Sequence, residues 1–473
     1  MRFFVLLTIA LTGLFFTLNK DKSHYKNEIN NRPNVVYINV DDLGWKDLGI
    51  MDDGYFESPH IDQFSKQAMM FTNSYASAAN CAPSRACLMT GQYSPRHGVY
   101  TVSPSARGKA STRKLIPIKN VDSLYSEQVT LADMFKTARY TTANFGKWHL
   151  GNDPLQQGFD VNVAGSLRGN PGKDGYFSPY NIENIENGPK GEHLTDRLTA
   201  EAIKFIRKNQ DNPFFLYLPF YSVHTPIIAK ANLVKKYQLK TDNPKGINPT
   251  YAAMVETMDN NVGKLLNELD DLGLTKNTIV VFTSDNGGIR SIAPQNPLRA
   301  GKGSYYEGGT RVPCIIRWPG IIEAGSLSDE PIINVDFFPT FKEILDIEMK
   351  GKLLDGQSIL PILVGNSLEP RPFFWHFPIY LQSYDELNDD GRDPLFRTRP
   401  GSTVLFEGWK LHIYYEDQGV ELYYLPNDPG ERNNIAKKEP IKVHELLEKL
   451  KTWQVKVDAP IPTELNPDYI SEK

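Results

Sequence analysis

The stretch Asn34-Val35-Val36-Tyr37-Ile38-Asn39-Val40 runs straight into Asp41-Asp42-Leu43-Gly44. A near-continuous apolar, β-branched run of this length reads as a strand covered on both faces. Two more runs share the pattern. Ile279–Thr283 (IVVFT) ends in Ser284-Asp285-Asn286-Gly287-Gly288, and Phe214–Phe220 (FFLYLPF) ends in Tyr221-Ser222-Val223-His224-Thr225-Pro226. Helical patterns at Leu198–Lys208 and Tyr251–Leu272 are interleaved with them. Buried strands alternating with helices predict an α/β sandwich around a mostly parallel sheet. Such sheets bind ligands beyond the carboxyl ends of their strands. Asp41, Asp42, Asp285, Asn286 and His224 are therefore expected to meet on one edge. Arg139–Phe145 reads as a further strand, followed by Gly146-Lys147-Trp148-His149. In an extended segment Lys147 and His149 would point one way and Trp148 the other.

The pattern changes after about Leu363. Short strand-like pieces, Thr403–Phe406, Lys410–Tyr415 and Glu421–Leu425, are separated by turn signals such as Asn427-Asp428-Pro429-Gly430, and a closing helix is expected over Ile441–Val455. This predicts a smaller C-terminal α+β domain with a short antiparallel sheet. Asn181–Gly191 and Gln382–Arg399 read as long loops, where specificity often resides.

The chain has 473 residues, enough for more than one domain, and the composition of a globular protein. A formal net charge of −4 argues against nucleic acid as a partner, which would require a basic field. At the N-terminus Arg2 precedes an apolar run, Phe3–Leu18, and then Asn19-Lys20-Asp21-Lys22. Residues 1–22 read as a secretory signal segment, and the run is slightly short for a membrane span. Export to the periplasm or the exterior is expected, with a retained N-terminal anchor as the alternative and no further stable membrane insertion. The expected division is then 33–365 for a catalytic domain and 366–473 for the smaller one. Of three cysteines, Cys81, Cys87 and Cys314, the first two are close enough in sequence to form a bridge.

The most specific motif is Cys81-Ala82-Pro83-Ser84-Arg85, continuing to Leu88-Met89-Thr90-Gly91. Pro83 suits the first turn of a helix. Cys81 then lies at the helix mouth, where free N–H groups favour an anion, and Arg85 shares its face. Geometry alone leaves two readings equally open: an oxyanion site, or a small buried cysteine beside an ordinary arginine. The adjacent Asp41 and Asp42 need a compensating cation. With Asp285 and Asn286 they make an all-oxygen set suited to Ca²⁺ or Mg²⁺. Each Asx-rich turn taken alone is more often a strand cap.

The cysteine segment resembles the signature of the formylglycine-dependent sulfatases, arylsulfatase A-like group, and the resemblance extends over nearly the whole chain after the signal segment. It implies an alkaline-phosphatase-like fold, hydrolysis of sulfate monoesters, and a maturation enzyme that oxidises Cys81 to formylglycine (3-oxoalanine). The hydrated aldehyde would attack sulfur with one hydroxyl and expel sulfate with the other. The resemblance further implies one Ca²⁺ per chain on Asp41, Asp42, Asp285, Asn286 and the modified Cys81. By the same resemblance Arg85 and Lys147 stabilise nucleophile and sulfate, and His149 accepts the diol proton. His224 protonates the leaving oxygen, and Lys302, in Ala300-Gly301-Lys302-Gly303, reaches the ester sulfate. Glu421-Leu422-Tyr423-Tyr424-Leu425 through Glu431 resembles the end of that group and reads as structural. Export and abundant aromatics favour a sulfated carbohydrate as substrate, with Arg168, His193, His376, Arg392, Arg397 and Arg399 as further candidates for its pocket. The rivals are a phosphomonoesterase or phosphodiesterase on the same fold, and a non-catalytic binder of sulfated glycans. Related phosphodiesterases tend to carry histidine where Asn286 stands.

Overall fold

The computed structural model describes residues 32–51, 54–173, 175–243 and 246–470. The signal-like run Phe3–Leu18 lies outside the described residues. Among the described residues no helix is long and apolar enough to cross a membrane.

The first ten strands are β1 (Asn34–Val40), β2 (Met69–Phe71), β3 (Ser74–Tyr75), β4 (Thr141–Phe145), β5 (Val161–Val163), β6 (Phe214–Pro219), β7 (Thr278–Ser284), β8 (Cys314–Arg317), β9 (Leu327–Ser328) and β10 (Ile332–Ile333). Eight of them form one sheet in the order β5-β4-β6-β1-β7-β8-β2-β9, and β3 pairs with β10 separately. From β5 to β7 all pairings are parallel, and β8 runs antiparallel to both β7 and β2. The apolar runs are continuous because both faces of the sheet are covered. Along β1, Val36, Ile38 and Val40 enter a core with the helices Leu194–Lys208 and Pro249–Asp271. Val35 and Tyr37 enter the opposite core, with the helices Cys81–Thr90, Leu131–Thr137 and Phe337–Ile344. Each such aliphatic side chain contributes about 1.5–3 kcal/mol on burial. The chain is thus an α/β sandwich with a mostly parallel central sheet.

Among the boundaries that differ from the sequence reading, two have a visible local cause. The strand expected from Arg139 starts at Thr141, because Arg139 takes a φ of 63° as the chain leaves the preceding helix. The helix expected from Leu198 starts at Leu194, where His193 caps it by accepting from the Thr195 N–H, with Asp196 in the first turn.

Beyond them lie β11 (Phe373–Phe377), β12 (Leu381–Gln382), β13 (Phe396–Thr398), β14 (Gly401–Phe406), β15 (Trp409–Tyr414) and β16 (Val420–Tyr424). An antiparallel sheet, β11-β14-β15-β16, carries the helix Pro440–Lys456 on one face, with Phe374 and Trp453 stacked at 4.7 Å. The expected loop Gln382–Arg399 is pinned at both ends, since β13 pairs with β12. The core of the small sheet includes Tyr75, Ala79 and Cys87 of the larger part. A buried ionic cluster joins the two as well: Lys410 of β15 lies 2.8 Å from Glu307 and 3.4 Å from Glu431, which also meets His412 at 2.8 Å.

Candidate active site

Val40 and Ser284 are register partners, so the residues following β1 and β7 leave the sheet side by side. Asp41 and Asp42 follow one strand, Asp285 and Asn286 the other. The β6 strand brings His224 to the same edge, and β4 brings Lys147 and His149. Asp41 exchanges two backbone hydrogen bonds with Ser222 and Val223, and Asp42 N–H donates to Asp285 Oδ1 at 3.1 Å. Asp42, His149 and Ala300 hold φ values of 61°, 65° and 57°. Such values are uncommon for residues with a Cβ and concentrate at functional sites. The φ of His149 also corrects the extended reading of Lys147–His149. The strand stops at Phe145, and Gly146 (φ 125°) and His149 turn the chain.

Cys81 is the first residue of the helix Cys81–Thr90 and is 1% exposed. Its Sγ lies 3.7 Å from Asp42 Oδ1. The structure gives all three cysteines as free, and Cys87 instead faces Ser94 and His97. One turn on, Arg85 donates to Asp285 at 2.9 Å and to the Lys147 carbonyl at 2.9 Å, and lies 3.6 Å from Asp41. Lys147 meets Asp41 at 2.6 Å, and Lys302 meets Asp42 at 2.6 Å. The Lys302 loop is fixed by two backbone bonds: Lys302 N–H donates to Gly288, and Gly303 N–H to Ala79 beside the cysteine. His224 Nε2 stands 3.6 Å from Asp42. Its Nδ1 lies 2.7 Å from the Thr225 carbonyl, which can only accept, so Nδ1 carries a proton and Nε2 is the exchanging atom. Tyr176 hydroxyl donates to the His224 carbonyl at 2.8 Å and steadies that loop.

The electrostatics follow from burial. Desolvation pushes the Asp41 carboxyl well above the usual range; Lys147 opposes this, while Cys81 and Asp285 add to it. Burial acts the same way on Asp42, but Lys302, His224 and Lys147 outweigh it and hold that group low. Burial, then Lys147 and Arg85, keep His149 well below its ordinary value and so neutral. Burial and Lys302 lower His224.

Asp41, Asp42, Cys81 and His224 bring potential ligand atoms within 4.8 Å of one another. Asp41 Oδ1 and Asn286 Oδ1 are buried without hydrogen-bond partners. Unpaired buried oxygens beside a raised carboxyl fit a hard divalent cation. Asp285 is oriented by Arg85 on Oδ2 and by the Asp42 amide on Oδ1, which keeps a second lone pair for a cation.

The expected pocket residues separate into groups. His193 is interior: its ring caps a helix and stacks on Tyr176 at 5.5 Å. His376 is interior too, with Ser402 Oγ at 2.8 Å and the Pro460 carbonyl at 2.9 Å occupying both ring nitrogens. Arg392 and Arg399 are neutralised by Asp417 and by Asp393 and Glu416, and line a separate cleft of about 400 Å³ with Lys114 and Tyr469. His376, Arg392 and Arg399 are therefore corrected as substrate contacts because their polar atoms are already engaged, and His193 because its ring is buried at 1% exposure. Arg397 donates to the Lys302 carbonyl at 2.9 Å and so reaches the site. Arg168 precedes Gly169, where an added Cβ would lie 2.5 Å from the His149 ring. Sequence reading missed Arg107 and Tyr384, which stand near these groups; no motif marks either.

Residues 33–347 match the family model described as Sulfatase, and residues 301–457 match N-sulphoglucosamine sulphohydrolase, C-terminal. A sulfatase of Formosa agariphila is 33% identical across 96% of this chain and 94% of that protein. The N-acetylgalactosamine-6-sulfatase of Canis lupus familiaris is 31% identical across 85% of this chain and 81% of its own length. The crystal structure of Ps i-CgsB in complex with k-i-k-neocarrahexaose superposes with a TM-score of 0.72 at 28% identity, covering 89% of this chain and 92% of that one. By sequence, fold and the residues gathered at its strand ends, the chain belongs to the sulfatase family and is a sulfuric ester hydrolase.

Proposed function

We propose that this sulfatase removes sulfate from carbohydrates, with an oxidised Cys81 as nucleophile and one calcium ion on Asp41, Asp42, Asp285 and Asn286. The observation that carries the proposal is the Asp42 carboxylate. Cys81 Sγ, Asn286 Nδ2, Lys302 Nζ and His224 Nε2 all lie within 3.7 Å of its oxygens. Nucleophile, one cation, an amide and a proton carrier thus face one point. The sugar named in the N-acetylgalactosamine-6-sulfatase and the neocarrahexaose bound to Ps i-CgsB support a carbohydrate substrate.

Formylglycine at Cys81 would supply an aldehyde hydrate as nucleophile and exit route, and the cation would supply charge for the sulfate oxygens. The chain's own groups divide the remaining work. Arg85 and Lys147 hold Asp41 and Asp285 in place and set positive charge beneath the sulfate. Lys302 supplies charge from the opposite side. Neutral His149 is suited to accept a proton, and His224, once protonated on both nitrogens, would deliver one from Nε2 to the leaving oxygen while Nδ1 keeps its own on the Thr225 carbonyl.

The test is inorganic sulfate release from a panel of sulfated oligosaccharides by protein produced with the maturation enzyme. Elemental analysis should find one calcium per chain. Release of phosphate from phosphate esters in preference to sulfate, together with two zinc ions, would overturn the assignment.

A further inference from the structure

Three guanidinium groups close to the site are held by carbonyl oxygens alone. Arg107 donates to Val102 at 2.5 Å and to Ser103 at 3.2 Å, Arg168 to Asn181, and Arg397 to Gln382 and Lys302. Among the described residues none of the three meets a carboxylate. Arg392 and Arg399 show the usual alternative, a carboxylate partner each. Arg168 is exposed, but Arg107 is half-buried and Arg397 buried, and such a cation without a counter-charge is costly, a cost that a ligand anion removes.

Arg107 is the best placed. Its backbone runs beside β12: Ala106 bridges Tyr380, and Gly108 N–H donates to Gln382 Oε1. Its guanidinium reaches back to Val102, next to Thr101, whose hydroxyl accepts from Asn80, the residue before Cys81. Burial holds this guanidinium below its ordinary pKa, and charges at Tyr384, Arg397 and Cys81 act on it. Tyr384 completes the setting. Its ring lies 3.4 Å from the Arg397 guanidinium on one side and is 52% exposed. It stands in the same tight crevice as Lys302 and Arg397. A ring backed by a cation and open on its other face is a platform for the apolar side of a sugar.

We propose that Arg107 and the open face of Tyr384 form a subsite for a second anionic group of the substrate, a sulfate or carboxylate beyond the ester being cleaved. The inference rests on the carbohydrate reading above and narrows it to polyanionic glycans. Arg107 pairs with the second anion, and Tyr384 carries the ring between the two charges.

The experiment uses matured enzyme turning over 4-nitrophenyl sulfate, with three competitors: glucosamine 6-sulfate, glucosamine N,6-disulfate, and a disaccharide of a uronate and N-acetylgalactosamine 6-sulfate. A second anion should lower Ki about tenfold or more, the worth of one charge-assisted pair. That advantage should shrink with rising salt. Arg107→Gln should abolish the advantage, and Arg107→Lys should retain part of it. Tyr384→Ala should raise Ki for all three sugars together. Thermal melts establish that each variant is folded. Whichever of disulfate and uronate gains more identifies the anion that the subsite prefers. Equal Ki values for mono- and polyanionic sugars, or an advantage untouched by Arg107→Gln, overturns this inference and leaves the carbohydrate reading standing. If no sugar competes while the aryl sulfate is still turned over, the carbohydrate reading falls and this inference with it.

Discussion

At the residue scale the site makes two separable demands, a nucleophile and a proton donor. Cys81→Ser, left unoxidised, keeps an oxygen near the same point, but a serine sulfate lacks the second hydroxyl that would expel sulfate. Turnover of aryl and sugar sulfates should both fall by about 10³-fold or more. Steady-state rates on the two substrates check this, and full activity in the serine variant would remove Cys81 from the mechanism. His224 separates the substrates instead. A sugar alkoxide needs a proton as its S–O bond breaks, and a nitrophenolate hardly does. His224→Ala should cost about 10²–10⁴-fold on a sugar sulfate and far less on 4-nitrophenyl sulfate. An equal loss on both would make it a binding residue. The sequence placed Asp41, Asp42, Asp285 and His224 because strand ends are visible as apolar runs that stop. It could not place Arg107 or Tyr384, whose roles depend on which loop lies beside Lys302. Nor could it tell His376 from a ligand, since only the fold shows both ring nitrogens occupied.

At the scale of elements, position depends on how the helix Cys81–Thr90 is held. Asn334 Nδ2 donates to the Ser84 carbonyl at 3.1 Å and hydroxyl at 2.9 Å, while its Oδ1 accepts from Ser77 N–H at 3.1 Å and from the Ser77 hydroxyl. One amide therefore ties the helix that begins at Cys81 to the segment preceding it. Asn334→Ala leaves several buried polar groups unpaired and should destabilise the protein by about 3 kcal/mol. Urea unfolding measures this, and a change below about 0.5 kcal/mol would show the staple to be idle. The long elements were legible from periodicity: β1 was expected and found over Asn34–Val40. The strand β11 was missed, because Phe373–Phe377 is an aromatic run without polar alternation and pairs only with β14, beyond a long connection.

At the scale of the whole molecule, two parts share one buried ionic cluster. Lys410, Glu307 and Glu431 are each 0% exposed. Lys410→Met removes the cation shared by two buried carboxylates and should cost about 3 kcal/mol, since His412 and Arg311 remain beside them, whereas replacing all three by neutral residues of similar size should recover much of it. Unfolding should remain one transition in the wild type, and calorimetry tests both points. Buried neutral histidines set the response to acid. Burial pushes His97 down to about 3, and His193 and His376 down to about 4. The unfolded chain takes up these protons below about pH 6.5, so their contribution is complete above that value and is lost as pH falls toward 4. Each should add up to about 1.4 kcal/mol per pH unit to the slope of stability. His376→Gln should flatten the slope between pH 6 and pH 5 on urea titration by about that amount, and an unchanged slope would refute the assignment. The 1% exposure of Cys81 has a consequence in time rather than space. A thiol at the foot of a wholly buried helix cannot enter the cleft of another enzyme. If Cys81 is oxidised as proposed, that step must come before the chain packs around it, while the nascent chain is still open. A chain that folds first is sealed in its unreactive form.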